Sequence, residues 1–253
     1  MNPRLYHEFA HLWRLLSPPE DYAPEAQMIR SLLEGEWGWS PRSGRRRILE
    51  LGAGGGHTLS HLARHFDAEA VDRAEAMIAQ SRALNPDVGH HVGDMRTVRL
   101  GRTFDAVLAH DAIDYLTTRE DLRAAFDTAA IHLDRGGVFL VAPTYLKDTF
   151  IDHQVEHDRH TDDRIELTCV SHVHAGADDT CELVLLLLIR ELAGRLRIEE
   201  DRHTCGLFDR STWLELLRGS GFDVDTFVME ASEDRQSPFV PFVARKQVGK
   251  KVG

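Results

Sequence analysis

The chain has 253 residues, 42% of them hydrophobic, which is enough for one large folded domain with a sizeable core. Its formal net charge of −11 argues against nucleic acid as a partner, because sequence-independent binding to phosphate backbones requires clustered Lys and Arg. The three cysteines form no Cys-x-x-Cys pair, which suits the reducing cytoplasm, and the most apolar run, Leu183 to Ile189, is too short to span a bilayer.

The N-terminal region is predicted to be helical. Apolar residues from Leu5 to Leu16 recur at helical spacing until Ser17-Pro18-Pro19 ends the pattern. A second helix is predicted over residues 24–33. Two helices are therefore expected before the first strand.

From residue 47 onward, predicted strands alternate with predicted helices. The strands cover 47–51, 68–71, 90–92, 104–109 and 138–141, and the helices between them cover 58–65, 75–84 and 118–133. Thr117 and Glu120 have the spacing of a capping box at the start of the third helix. This alternation predicts a parallel, doubly wound α/β sheet with right-handed crossovers.

The pattern changes after residue 143. Three long strands, predicted over 165–174, 181–192 and 195–203, are separated by turn residues, which favours an antiparallel sheet. A helix over 211–218 and strands over 222–229 and 239–245 then resume the first pattern. The sequence thus predicts a seven-stranded sheet with an antiparallel insertion after its fifth strand.

A glycine-rich turn follows the first strand. Gly52, Gly54 and Gly56 stand at alternate positions, where the missing side chains let the backbone turn sharply and approach a ligand closely. A dinucleotide site carries a small residue at the position of His57, so this bulky residue disfavours a pyrophosphate. Glu50, two residues before the first glycine, suits a cofactor that has a cationic end and no phosphate.

Ligands of doubly wound sheets lie beyond the carboxyl ends of the strands, so the residues that end the strands share one surface. Asp72 lies 20 residues after Gly52, where a carboxylate can accept both hydroxyls of a ribose. Asp94 could take an adenine amino group while Met95 packs on the ring. His110 and Asp111 end the fourth strand.

The motif Glu50-Leu-Gly-Ala-Gly-Gly-Gly56 resembles the signature of class I S-adenosylmethionine-dependent methyltransferases, and the resemblance covers residues 47–145. It implies a Rossmann-like sheet and S-adenosylmethionine as the methyl donor to a small molecule. The cofactor-binding residues that it implies are Tyr22, Glu50, Gly52, Ala53, Gly54, Asp72, Arg73, Met77, Asp94, Met95, His110 and Asp111.

A narrower resemblance is to small-molecule N-methyltransferases, such as those that dimethylate the amino sugars of macrolides. It rests on Asp21-Tyr22-Ala23-Pro24-Glu25-Ala26, Gly93-Asp94-Met95-Arg96, Tyr115-Leu116 and the antiparallel insertion. Methyltransferases that act on base amines or glutamine carry a different motif at His110-Asp111-Ala112-Ile113. The expected domain comprises a helical cap (1–44), a cofactor-binding core (45–145), a substrate lid (146–205) and a last helix with strands (206–253).

Three residues are the predicted catalytic groups, namely His110, Tyr115 and His203. If the acceptor is an amine protonated at neutral pH, a base must remove a proton before transfer. Further candidates are Asp111, Asp114 and Tyr145, although Asp111 also suits the cofactor's amino group and Asp114 also suits the start of a helix. Tyr6 and Trp13 are interpreted as core residues.

His153, His157 and His160 would share one face of a helix with metal-ligand spacing, but a solvated polar segment is the favoured interpretation and no metal is predicted. The favoured function is a methyltransferase acting on nitrogen. The alternatives are O-methylation, a non-catalytic S-adenosylmethionine-binding protein and a dinucleotide oxidoreductase. Neither nucleic acid nor a membrane is an expected partner, and the sequence leaves a homodimer open.

Overall fold

The structure is a computed structural model that describes residues 3–35, 44–191, 194–226 and 241–247. The helices are α1 (Trp13–Leu16), α2 (Ala23–Glu34), α3 (His57–Leu62), α4 (Glu75–Leu84), α5 (Arg119–His132) and α6 (Arg210–Gly219). The first seven strands are β1 (Arg47–Leu51), β2 (Asp67–Asp72), β3 (Gly89–Val92), β4 (Phe104–His110), β5 (Leu133–Ala142), β6 (Gln154–Thr161) and β7 (Ile165–Ala175). The others are β8 (Thr180–Glu191), β9 (Leu196–Gly206), β10 (Phe222–Thr226) and β11 (Phe242–Lys246).

The main sheet has seven strands in the order β10-β11-β5-β4-β1-β2-β3. Strands β1 to β5 pair in parallel, whereas β11 runs antiparallel to both β5 and β10. The strand order reverses between β1 and β4, which is the point where doubly wound sheets bind ligands. The predicted seven-stranded α/β sheet is confirmed, although the predicted positions 227–229 and 239–240 lie outside the described residues.

Helices cover both faces of this sheet. All seven residues of β4 are buried, as expected of a central parallel strand with helices on either side. On one face Phe126 of α5 and Trp213 of α6 pack against β4 and β5. On the other face Ile29 of α2 and Leu59 of α3 pack against β1. This packing fixes the strand ends that carry the site.

The second sheet is antiparallel and has four strands in the order β6-β7-β8-β9. One face packs on the N-terminal segment, where Leu5 and Phe9 meet Leu167 and Leu187. The antiparallel insertion is confirmed, but the prediction of three strands missed β6. No helix within the described ranges is long and apolar enough to cross a membrane.

The expectation that three histidines share a helix face is wrong. His157 and His160 belong to β6, and residues three apart in a strand point to opposite faces of the sheet. His153 precedes that strand. Within the described residues, no group of three convergent ligand atoms includes any of the three.

The predicted N-terminal helix and the predicted cap of α5 are also corrected. The single helix expected from Leu5 to Leu16 is instead two 3-10 turns, Arg4–Tyr6 and Ala10–Leu12, followed by the single turn of α1. Contacts with the second sheet override the helical pattern there. Helix α5 is capped by Thr118, whose hydroxyl accepts from the backbone N–H of Asp121 at 3.1 Å, and not by Thr117.

Candidate active site

A cavity of about 460 Å³ lies between the carboxyl ends of the main-sheet strands, the N-terminal segment and the second sheet. The predicted site residues other than Glu50 all line it. They are Tyr22, Gly52, Ala53, Gly54, Asp72, Arg73, Met77, Asp94, Met95, His110, Asp111, Tyr115 and His203. Tyr6 and Trp13, interpreted as core residues from the sequence, also line the cavity.

The glycine turn forms the floor of the cavity. Gly52 has a φ of 81°, and a Cβ on it would clash with the Cβ of Ala112, so no larger residue fits. Gly54 has a φ of 52°, yet a Cβ on it would meet only Met77 Cε, at 3.8 Å. The space above Gly54 therefore belongs to the cavity rather than to protein packing.

Asp72 at the end of β2 holds this turn in place. Its Oδ2 accepts from the backbone N–H of Gly54 at 2.8 Å, and its Oδ1 accepts from the backbone N–H of Ala74 at 2.8 Å. Burial raises the pKa of Asp72, while these two hydrogen bonds oppose that shift. Each carboxylate oxygen keeps a lone pair with which it can accept a ligand hydroxyl.

Asp94, after β3, is held by an arginine that the sequence reasoning did not single out. The guanidinium of Arg96 donates from Nε to Oδ1 at 3.0 Å and from Nη2 to Oδ2 at 2.6 Å, and its Nη1 donates to Asp121 at 2.8 Å. These hydrogen bonds from Arg96 hold the pKa of Asp94 below its usual range. The carboxylate is therefore charged and fixed in orientation beside the cavity.

A buried ion pair lies below the glycine turn. His110 Nε2 donates to Oε1 of Glu50 at 2.8 Å, while Oε2 of Glu50 is buried and has no hydrogen-bond partner among the described residues. His110 Nδ1 lies 3.4 Å from Asp111 Oδ2 and 3.8 Å from Glu25 Oε1. Burial lowers the pKa of His110, but Asp111 and Glu50 outweigh it and raise this pKa well above its usual value. Three acidic side chains thus surround the His110 imidazolium at this end of the cavity.

The opposite end of the cavity contains a tyrosine–histidine network, formed by Tyr6, Tyr115, His203 and Asp201. The Tyr6 and Tyr115 hydroxyl oxygens are 2.7 Å apart, and the Tyr115 oxygen lies 2.7 Å from His203 Nδ1. His203 Nε2 donates to Oδ2 of Asp201 at 3.0 Å. Tyr115 and His203, 88 positions apart in the chain, thus meet through a direct hydrogen bond.

Comparison with known proteins identifies the family. A methyltransferase-domain family model matches residues 48–137. An N,N-dimethyltransferase of dTDP-3-amino-3,4,6-trideoxy-alpha-D-glucopyranose from Streptomyces venezuelae is 31% identical over 208 residues, which are 81% of this chain and 85% of that protein. The chain belongs to the S-adenosylmethionine-dependent methyltransferases. The predicted enzyme class and methyl donor are confirmed, and this methyltransferase acts on a small molecule.

Solved structures agree with this assignment. The sugar N-methyltransferase of a Streptoalloteichus species has a TM-score of 0.81 and 26% identity, over 98% of this chain and 94% of that one. An S-adenosylmethionine-bound amino pentose methyltransferase from Micromonospora echinaspora has a TM-score of 0.73 and 28% identity, over 95% and 96% of the two chains. The methyltransferase therefore resembles these enzymes in fold over nearly the whole length of both chains.

The residues of the cavity fit S-adenosylmethionine. The space over Gly54 accommodates close approach of a ligand, and the carboxylates around His110 suit the cofactor's cationic end. When bound, the cofactor supplies a methyl group on a positively charged sulfur. The protein has to hold that group in line with the acceptor atom and keep water away.

Two aspartates of the methyltransferase lie between the two ends of the cavity. Asp114 is buried in the 3-10 turn Ala112–Tyr115. Its Oδ2 accepts from Thr144 N–H at 2.8 Å, but in the part of the chain that the structure describes its Oδ1 has no hydrogen-bond partner. Burial raises the pKa of Asp114 well above its usual value. Asp111 has a φ of 46°, which is strained for a non-glycine residue, and accepts from Thr144 Oγ1 at 3.0 Å. Asp114 is therefore a polar group available to a ligand.

Aromatic rings close the remaining wall. The ring of His57 stacks on Trp13 at 6.0 Å and meets Tyr22 edge-on at 5.3 Å. Burial lowers the pKa of His57 to about 4, so this ring is neutral at physiological pH. The Tyr22 hydroxyl is 2.8 Å from Ser17 Oγ. His57 thus acts here as an uncharged wall residue beside the glycine turn.

Proposed function

We propose that this methyltransferase N-methylates the amino group of a deoxyamino sugar carried on a nucleoside diphosphate. Three similar proteins, from Streptomyces venezuelae, Streptomyces fradiae and Saccharopolyspora spinosa, are N,N-dimethyltransferases of dTDP-linked amino sugars. In this chain the supporting observation is the single cavity that joins the glycine turn to Tyr6, Tyr115 and Asp114. Hydroxyl and carboxyl groups at the acceptor end are the partners that an amine requires.

The proposed roles divide the cavity into two halves. The cofactor-binding residues are Tyr22, Glu50, Gly52, Ala53, Gly54, Asp72, Arg73, Met77, Asp94, Met95, His110 and Asp111. Tyr115 and His203 serve the acceptor. His110, proposed from the sequence as a catalytic group, is held as a cation by Glu50 and Asp111 and so contributes charge instead of accepting a proton. Residues 146–205 act as the substrate lid.

Mass spectrometry with S-adenosylmethionine and paired acceptors tests this function. The pair is a dTDP-linked amino sugar and its analogue with a hydroxyl in place of the amine. We expect stepwise methylation of the amino sugar and none of the analogue. Methylation of the hydroxyl analogue alone would establish the O-methyltransferase alternative. Cofactor binding without transfer to either acceptor would support the non-catalytic alternative.

We also propose a homodimer formed through the outer face of the second sheet. Val155, Leu186, Leu196 and Ile198 lie on that face and are 60%, 38%, 55% and 67% exposed. Exposed apolar residues can form a contact surface, and a two-fold dimer pairs the same surface of both subunits. In sedimentation experiments Ile198→Glu should yield monomers. The control is Val92→Glu, since Val92 is 57% exposed on β3 and should leave the dimer intact. A wild-type monomer would contradict the proposal.

The cytoplasm is the proposed location. The three cysteines are free thiols buried in the second sheet, at Cys169, Cys181 and Cys205. Free thiols are typical of a reducing compartment. Fractionation of the native producing cells, followed by detection of the protein, tests this proposal, and recovery outside the cytoplasmic fraction would contradict it.

A further inference from the structure

The hydrogen bonds of the tyrosine–histidine network have a fixed direction. Asp201 Oδ2 accepts from the backbone N–H of Leu5 at 2.7 Å and Oδ1 accepts from that of Arg4 at 3.0 Å, so this carboxylate is an acceptor throughout. His203 must therefore carry its hydrogen on Nε2, which donates to Asp201. Its Nδ1 is left as an acceptor.

The tautomer of His203 also fixes the direction of the hydrogen bonds made by Tyr115 and Tyr6. Because His203 Nδ1 is an acceptor, the Tyr115 hydroxyl donates to it. The Tyr115 oxygen in turn accepts from the Tyr6 hydroxyl. This leaves the Tyr6 oxygen as an acceptor at the cavity end of the network. An N–H of an acceptor amine is the complementary donor.

We propose that the tyrosine–histidine network removes a proton from the acceptor's ammonium group before methyl transfer, with Tyr6 as the residue that contacts the amine. This inference rests on the proposed function. The ammonium N–H bond breaks and its proton passes to the Tyr6 oxygen. The Tyr6 proton passes to the Tyr115 oxygen, and the Tyr115 proton passes to His203 Nδ1. The freed nitrogen lone pair then forms the C–N bond as the C–S bond of the donor breaks, and that electron pair stays on sulfur.

His203 is suited to be the terminal proton acceptor. It is 1% exposed, and burial lowers its pKa although Asp201 opposes that shift, so the imidazole begins neutral. Once protonated, it lies against the Asp201 carboxylate, which stabilises the imidazolium. Asp201 is a positioning residue, since it fixes the tautomer and orientation of His203 without contacting the amine.

Other groups that face the network do not replace it as the proton acceptor. Cys205 faces both tyrosines, Asp114 faces Tyr115, and Asp111 and Tyr22 face Tyr6. A hydrogen bond with Cys181 and burial raise the pKa of the Cys205 thiol, and burial raises the pKa of Tyr22, so both favour their protonated forms. Asp111 already accepts a hydrogen bond from Thr144. Burial raises the pKa of Asp114 well above its usual value, which favours the neutral form of this side chain. Its neutral form can still accept or donate a hydrogen bond at the substrate.

The decisive experiment is the pH dependence of kcat for the dTDP-linked amino sugar. Asp201→Asn removes the carboxylate charge that stabilises the imidazolium of His203, whichever way the amide is turned. At neutral pH we expect kcat to fall by about 10²-fold or more, the range typical of general-base catalysis. The loss should disappear as the pH rises through the pKa of the acceptor amine, because the free amine needs no base. KM for the sugar should change little.

Two further variants complete the experiment. Tyr6→Phe removes the oxygen at the cavity end and should give the same pH profile without touching the contacts of Asp201 with Arg4 and Leu5. Glu200→Gln makes the same carboxylate-to-amide change on an exposed neighbour in β9 and should keep the wild-type profile. Calorimetry should show unchanged S-adenosylhomocysteine affinity for each variant.

The outcomes separate the two proposals. If the wild-type enzyme methylates no amine, the proposed function fails. If it methylates the amine but Asp201→Asn and Tyr6→Phe both retain its pH profile, the network does not remove the proton. A loss of kcat that persists at high pH would likewise overturn the relay, because it would indicate a purely structural role. In the wild type, the ¹⁵N shifts of His203 should report hydrogen on Nε2, and hydrogen on Nδ1 would contradict the assigned direction.

Discussion

The contact between the glycine turn and the cofactor can be tested by adding one methyl group, with Gly54→Ala. The φ of 52° at Gly54 is a left-handed conformation, which costs an L-residue about 1–2 kcal/mol. The new Cβ would lie 3.8 Å from Met77 Cε, an ordinary contact, so packing within the protein adds no further cost. We therefore expect a modest loss in the free energy of unfolding and a folded variant.

Cofactor binding should respond much more strongly than stability. The added methyl fills the space that the cavity keeps over residue 54, so the Kd for S-adenosylhomocysteine should rise at least tenfold, or about 1.4 kcal/mol. Calorimetry measures the affinity and urea unfolding measures the stability. Gly101→Ala is the control, since Gly101 has a φ of 68° and nothing within 4 Å of the added Cβ. It should lose similar stability but keep wild-type affinity. Equal affinities for the two variants would refute the placement of the cofactor over Gly54.

Three further predictions concern the supports of the site. Asp72→Ala leaves the N–H groups of Gly54 and Ala74 without their acceptor, which should lower the free energy of unfolding by about 1–3 kcal/mol for each group. In a thermal-shift titration, S-adenosylmethionine should not stabilise this variant. A shift as large as that of the wild type would contradict the assignment of Asp72 to the ribose. Thr118→Ala should lower the free energy of unfolding by about 1 kcal/mol, and Thr117→Ala should lower it much less. A larger loss for Thr117→Ala would instead support Thr117 as the cap, as the sequence predicted. Because the pKa of His110 is raised on folding, its stabilising contribution is complete below about pH 6.5 and is lost as the pH rises through its folded value. The stability difference between wild type and His110→Gln, from urea unfolding, should therefore shrink with rising pH, and a growing difference would contradict the ion pair.

The fold was predictable because its signals are local and repeated. Buried strands such as β4 are apolar along their whole length, and Gly52 to Gly56 mark the turn after β1. Strand β6 was missed because six of its eight residues are exposed and polar or charged residues dominate it, so it shows no apolar alternation. It pairs with β7 in a local hairpin in which Thr161 lies opposite Glu166, so its missing apolar pattern and not the distance along the chain hid it.

Part of the candidate site was also predictable from the sequence, and part was not. The strand ends were predictable because parallel strands deliver them to one edge, which placed Asp72 and Asp94 correctly beside the cavity. The roles of Tyr6 and Asp201 depend on the packing of the second sheet against the N-terminal segment, which the sequence did not specify. The alternation of Asp201 and His203 along one strand was the available signal, since such residues share a face.

A crystal structure with S-adenosylhomocysteine and a dTDP-linked amino sugar would locate both ligands relative to Gly54 and Tyr6. We expect the cofactor over the Gly52–Gly54 turn, with its sulfur facing the acceptor nitrogen. We also expect that nitrogen to lie within hydrogen-bonding distance of the Tyr6 hydroxyl. An amino group turned away from Tyr6, or a sugar bound outside the cavity, would show that the proposed arrangement is wrong.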